Sequence, residues 1–211
     1  MRVSLNEIRT MAGKAAIGAG LPFGTADEIG HAAAWLAQVG QDAVGPVLVA
    51  LTAAETAPPH PLEPSEEDGK LDLVAAAQVG AGVVDLLFAR PSGQPLAIDR
   101  VDVPAMLIGL IGQALARDAR GGAVTVDLAG GDRLTVTAGS VSPCRGLRPS
   151  AGGVTLVRTR GHASQPACCP DGVEVDPGDW RALSALAART LVPADGTSRR
   201  RGAGAGDIDN E

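Results

Sequence analysis

The one cluster of soft ligands and thiol nucleophiles in the chain is Cys168-Cys169, with His162 before it and Cys144 upstream. A closed zinc site needs ligands spaced to converge, as in Cys-x-x-Cys, whereas side chains on adjacent residues point apart. Thiolate chemistry needs a partner such as His162 to stabilise the charged sulfur, and spacing alone does not bring the two together. A loop or buried thiol is the simpler reading, and no metal site is expected. Gly80-Ala81-Gly82 invites a dinucleotide-binding reading, yet the third glycine of that fingerprint falls on Asp85, and no Gly-Lys-Ser/Thr occurs. His31 lies among alanines, where a solvated or packed ring is expected, and His60 lies among prolines. No carboxylate pair, no Ser/His/Asp order and no convergent ligand set emerges, so the residues name no catalytic group and no cofactor.

The C-terminal tail offers binding chemistry instead. Arg199-Arg200-Arg201 is followed by Gly202-Ala203-Gly204-Ala205-Gly206. Composition alone describes a frayed terminus. Glycines at 202, 204 and 206 also permit close backbone approach, so their N–H groups could wrap an anion while Ser198, Arg199 and Arg200 supply donors and charge. Asp207, Asp209 and Asn210 would serve a tail docked into a groove.

The whole chain bounds these readings. Its 211 residues suffice for a substantial core, and hydrophobic residues at 45% with charged residues at 20% are near the globular average. There is no Tyr, and Phe23, Phe88, Trp35 and Trp180 are the only aromatics, so base stacking is a poor recognition mode. A net charge of -6 argues against a phosphate-tracking surface, and no nucleic-acid partner is expected. The N-terminus lacks a signal-type apolar stretch, and Asp72, Gln78 and Asp85 interrupt the Leu71–Phe88 run before it reaches the roughly 20 residues of a membrane span. Three cysteines fit a reducing compartment, so a cytoplasmic protein without a membrane partner is expected.

The elements that would position a site follow from caps and periodicity. Ser4-Leu5-Asn6-Glu7 is a capping box opening a helix that ends at Gly18 and Gly20. Thr25-Ala26-Asp27-Glu28 repeats the pattern before a helix ending near Gly40, giving an αα-hairpin. Pro46 opens a third helix, which Pro58-Pro59 stops. Val79–Phe88 and Pro95–Ile98 read as short apolar or β-branched runs, Asp102 caps and Pro104 opens a further helix, and residues 123–128 and 133–137 alternate as a hairpin. Strands are expected at 154–157 and 173–175, and Asp176-Pro177 opens a last helix with Trp180, Leu183, Leu186, Ala187 and Leu191 on one face. The expected fold is α+β: an N-terminal helical hairpin plus a mixed, largely antiparallel sheet with flanking helices. Residues 1–57 form the helical segment, 58–70 a Pro/acidic linker, 71–195 the α+β domain and 196–211 the Gly/Arg-rich tail.

Val3-Ser4-Leu5-Asn6-Glu7-Ile8, Lys14-Ala15-Ala16, Gly18-Ala19-Gly20 and Trp35-Leu36 resemble the start of a bacterial family known as domain-of-unknown-function family 3726. The C-terminal end is similar to it at Trp180, Leu183, Ala187, Arg189-Thr190, Val192-Pro193-Ala194, Ser198-Arg199, Gly202-Ala203-Gly204-Ala205-Gly206 and Asp209-Asn210. The resemblance implies no activity, cofactor or catalytic residue. The chain departs from the family pattern at Phe23, Leu191, Asp195-Gly196-Thr197 and Glu211. Its opening helix pair is also loosely similar to the malate/L-lactate dehydrogenase family that lacks a Rossmann fold, without that family's Ser-His-Gly turn. Together these features point to a protein of small-molecule metabolism that binds an anionic ligand through Ser198, Arg199, Gly202, Gly204, Gly206, Asp209 and Asn210. The alternative is a non-catalytic accessory subunit whose tail docks into a partner enzyme.

Overall fold

The computed structural model describes residues 1–57, 62, 70–119, 121–143, 147, 151–160 and 172–191. A short strand β1 (Arg2–Val3) leads into α1 (Leu5–Gly18), which begins with the expected capping box. Glu7 N–H donates to Ser4 Oγ (3.2 Å), and Ser4 N–H donates to Glu7 Oε2 (2.7 Å). These bonds, the one from the Ser4 backbone first, hold the Glu7 carboxyl below its ordinary range. Gly20, at φ +88°, closes the helix with a residue that a side chain would strain.

The second helix, α2 (Phe23–Gln38), starts ahead of the Thr25 box: Pro22 is its N-cap, with no side-chain capping bond. Glu28 turns instead to a later helix, described below. α1 and α2 form the expected hairpin at close range, since a Cβ on Gly30 would lie 2.6 Å from Arg9 O. α3 (Gly45–Thr56) has Pro46 in its first turn, and Asp42 Oδ1 accepts from Val44 N–H (3.0 Å) and Gly45 N–H (3.1 Å) at its start.

The remaining elements are β2 (Leu71–Val74), α4 (Ala76–Ala89), β3 (Pro95–Val101), α5 (Pro104–Arg117), β4 (Ala123–Leu128), β5 (Arg133–Thr137), β6 (Val141–Ser142), β7 (Gly152–Thr159), β8 (Val173–Glu174) and α6 (Pro177–Ala188). The run read as a short apolar stretch at 79–88 is the body of α4, whose buried Ala76, Ala77, Gly80, Val83, Val84 and Leu87 follow helical spacing. Leu191, expected on the inner face of the last helix, lies beyond its end and is exposed. Asp176 does cap α6, accepting from Gly178 N–H (2.7 Å) and Asp179 N–H (3.0 Å). β8 pairs with β1, apart from the main sheet.

That sheet has the order β2-β3-β7-β4-β5-β6. Only β2 and β3 pair in parallel; the other neighbours are antiparallel. The fold is therefore α+β with a mixed, largely antiparallel sheet. Leu96, Ile98, Val124, Val126, Leu134, Val136, Val154 and Leu156 are buried on the face that α4 and α5 cover. Alternate residues such as Thr135 and Arg133 are exposed on the other face, where Arg133 Nε donates to its register partner Asp127 at 2.5 Å. Among the described residues no helix is long and apolar enough to cross a membrane.

α5 is the centre of the molecule. Its apolar sequence is buried nearly all round, as a helix with no solvent face must be. On the side away from the sheet it meets α2 at two glycines. A Cβ on Gly109 would lie 3.0 Å from Leu36 Cδ1, and one on Gly112 would overlap the indole of Trp35. Trp35 continues past α5, and its Nε1–H donates to Ala138 O (2.7 Å) in the β5–β6 turn. One tryptophan thus ties the helical hairpin to the central helix and to the sheet.

Asp102 performs a comparable function at the start of α5, though not as its cap. Val103 is the N-cap there, and Asp102 Oδ1 accepts from Val103 N–H (2.6 Å) and from Ala76 N–H (2.8 Å) at the start of α4. Its own N–H donates to Val74 O (3.1 Å). Burial pushes the carboxyl above its ordinary range, against the opposing pull of the N–H bonds.

Two predictions follow from this packing. Gly112→Ala should cost about 1–3 kcal/mol by overpacking, despite the better helix propensity of Ala. Gly130→Ala, where a Cβ meets nothing within 4 Å, should be nearly neutral; equal denaturation midpoints would remove the indole-docking account. Asp102→Ala should cost about 1–3 kcal/mol through the loss of an acceptor for two N–H groups, while Asp102→Asn keeps one. Because the folded-state pKa of Asp102 is raised, its linked stability is fully present below the unfolded value and is lost as pH rises through the folded one. The stability of the native chain relative to Asp102→Asn should therefore decline as pH rises through that range, measured by urea titration.

Candidate functional site

β7 is antiparallel to both β3 and β4, and β5 is antiparallel to β4 and β6. Hence β2, β3, β4 and β6 all run the same way, and their carboxyl ends share one edge of the sheet. α4 and α5 both begin at that edge. In open sheets of this kind the crevice beyond the carboxyl ends is where ligands bind, because chains must diverge there into loops and helix starts.

A cavity of about 670 Å³ occupies that place. Its inner wall is apolar and buried: Pro104, Ala105 and Ile108 from the first turns of α5, and Leu134 from β5. Its rim is exposed backbone: Ala129 and Gly130 in the β4–β5 turn, and Ala151 before β7. The turn is set by Gly131 at φ +87°, by Leu128 N–H donating to Asp132 O (2.8 Å), and by Ala129 N–H donating to Gly153 O (2.9 Å). Gly152 and Gly153 open the wall, since a Cβ on Gly153 would sit 3.1 Å from Asp99 O. Asp132 is the one ionisable group among the described lining residues.

The chemistry available is that of binding. The α5 N-terminus carries the positive end of the helix dipole, and the Ala105 N–H has no acceptor within the helix by geometry. Pro104 contributes no donor. The described lining residues bring together no acid, base and nucleophile in the manner of a catalytic array. Among the described residues no group of three or more His, Cys, Asp or Glu side chains could hold a metal ion.

Sequence reasoning pointed elsewhere. Gly80-Ala81-Gly82 lies inside α4, where a Cβ on Gly80 would be 2.7 Å from Leu110 Cδ1, so the first glycine makes room for α5 rather than for a phosphate. His31 sits on the flank of α2, with Nε2 3.4 Å from Arg9 Nη1 and 3.6 Å from Asp27 Oδ2. Phe23 and Leu191, two departures from the family pattern, are exposed apolar side chains at 79% and 67%. Cys144, His162, Cys168, Cys169 and His60 lie outside the described residues, as do Ser198, Arg199, Gly202, Gly204, Gly206, Asp209 and Asn210. The cavity was missed because its walls are small apolar residues and bare backbone; Pro104 and Gly130-Gly131 signalled a helix start and a turn, not the space between them.

A series of contacts connects the end of α6 to the start of α5. At the C-terminus of α6, Arg189 Nη1 donates to Glu55 Oε1 in the last turn of α3. Gln78 Nε2, in the first turn of α4, donates to Ala54 O (3.2 Å) and Ala57 O (3.0 Å) at the close of α3. Ala76 is bound by Asp102, which precedes Pro104.

No curated protein and no solved structure matches the chain. Residues 3–78, from β1 through the first turn of α4, match the model of the family described as protein of unknown function (DUF3726).

Proposed function

We propose that the protein binds a small molecule with an apolar body and an acidic head in the cavity at the N-terminus of α5. The supporting observation is the position of that cavity at the common carboxyl edge of β3, β4 and β6, where the positive end of the α5 dipole opens into an apolar pocket. The apolar body would lie against Ile108 and Leu134, with the acidic group at Ala105 N–H. Ser198, Arg199 and the glycines 202, 204 and 206 remain the proposed anion-binding tail, with Asp209 and Asn210 as polar contacts. In this reading the tail that follows α6 adds the cationic charge that the described lining lacks. A place in small-molecule metabolism, in the cytoplasm, goes with such a ligand.

Hexanoate, hexanol and hexylamine, titrated into the full chain and followed by amide NMR shifts, separate the contributions. Hexanoate should bind at least about tenfold tighter than hexanol, with shifts at Ala105, Ile108 and Gly130. Gly130→Asp, which places a second carboxylate on the rim in open space, should weaken hexanoate by about tenfold and leave hexanol unchanged. Hexanoate binding no better than hexanol would sink the reading. Deleting residues 192–211 should lower hexanoate affinity at unchanged thermal stability; unchanged binding with loss of a co-purifying enzyme would favour the accessory-subunit alternative.

A further inference from the structure

A second cavity, of about 490 Å³, lies at the opposite end of α5. Here α5 meets the start of α2 and the second half of α4, so the negative ends of the α4 and α5 dipoles point toward the region. Its apolar wall includes Val84, Phe88 and Leu110. Among the described residues its polar side chains are Glu28, Asp85, Gln113, Arg117 and Asp118, three carboxylates against one guanidinium. Their arrangement is built rather than incidental. Gln113 Nε2 donates to Glu28 Oε2, and Arg117 Nη1 donates to Glu28 Oε1 at 2.9 Å.

The second, independent observation is Gln113 itself. It is only 6% exposed and is the sole polar side chain among the buried residues of α5. Its amide N–H₂ is directed at Glu28, which fixes the orientation of the amide, since the flipped group would set carbonyl against carboxylate. The carbonyl Oε1 then has no hydrogen-bond partner among the described residues. A buried amide oxygen without a donor is costly, and an apolar residue would pack that position more cheaply. A ligand bringing an N–H donor would satisfy it.

We propose that this cavity is a binding site for an organic cation, a primary or secondary amine with a short apolar body. Its N–H groups would be received by Gln113 Oε1 and Glu28, and its body would lie on Val84, Phe88 and Leu110. Asp85, exposed on α4, adds long-range attraction without a role in the core. One face of Phe88 is taken by Arg158, whose Cζ lies 5.1 Å from the ring centroid, which leaves the rest of the ring to the apolar body. This site is separate from the cavity at the α5 N-terminus and stands whether or not that one binds an acid.

The test titrates benzylamine, benzyl alcohol and benzoate into the full chain and follows amide and side-chain NMR shifts, including the Gln113 NH₂ pair. Benzylamine should shift Gln113, Glu28 and Val84 and bind at least about tenfold tighter than benzyl alcohol, with benzoate weakest. Asp85→Asn, an exposed change that leaves the fold intact, should weaken benzylamine severalfold and flatten its salt dependence. Gln113→Leu should improve thermal stability while abolishing benzylamine binding. If Gln113→Leu fails to fold, the Asp85→Asn comparison decides alone. Benzoate binding as well as benzylamine, no shift at Gln113, or benzylamine affinity unchanged by Asp85→Asn would each overturn the proposal.

Discussion

A helix buried on every side imposes more on its surroundings than one with a solvent face, and α5 imposes it here. Only Ala114, Ala116 and Arg117 among its residues escape burial. Each of its large aliphatic side chains contributes on the order of 1.5–3 kcal/mol when removed from water. That gain requires the sheet on one side and α2 and α4 on the others to approach closely at once. The approaches are made possible by absent side chains: Gly109 and Gly112 beneath Leu36 and Trp35, and Gly80 against Leu110. With its sides occupied, the helix can reach solvent or ligand only at its ends. Both ends open into cavities, one at the positive end of the α5 dipole and one at its negative end.

The same constraint explains the polar groups inside. Asp102 and Glu28 each join α5 to a neighbouring helix, Asp102 at its start and Glu28 near its close. Both are stitched by hydrogen bonds to groups that would otherwise lie unsatisfied between packed helices. Asp102 is the more deeply committed, since its carboxyl is raised by burial yet receives two backbone N–H groups. Gln113 has one half of its amide served and the other not, and so has Gln78, whose Nε2 is bonded while its Oε1 has no partner among the described residues.

Elements whose determinants are local were legible in the sequence. Ser4 with Glu7, Asp176 ahead of its helix, Pro46, Pro104 and the alternation around Gly130-Gly131 all act within a few residues, and the helices and hairpin stand where they were expected. The readings that changed concern residues whose partners are remote. Glu28 looks like half of a capping box, but its partner Gln113 is 85 positions away, and Asp102 serves Ala76 across a separation of 26. Val79–Phe88 looked like a strand-length run because its inner side chains are apolar and its polar ones sparse, whereas the packing of Gly80 on Leu110 shows a helical face. Neither cavity could be read at all. The one at the α5 N-terminus is walled by proline, alanine, glycine and leucine and has no side-chain motif, and the other joins Glu28 to residues of α4 and α5 far along the chain.

The family match and the larger cavity occupy different parts of the chain, and the packing explains what each part must do. Residues 3–78 contain Trp35 and Leu36, which seat α5, and Gln78, which closes α3. The described lining of the cavity at the α5 N-terminus lies between Pro104 and Gly153. Substitutions in the first group act on the position of the central helix, and every wall of that cavity moves with it. Substitutions on the rim are different in kind: Gly130 faces open space, and Ala129 and Ala151 are exposed. A side chain added there changes the size and charge of the mouth while the α2–α5 contact stays as it is. The fold thus separates a platform, whose tolerances are set by glycines under an indole, from a rim that is free to set ligand preference.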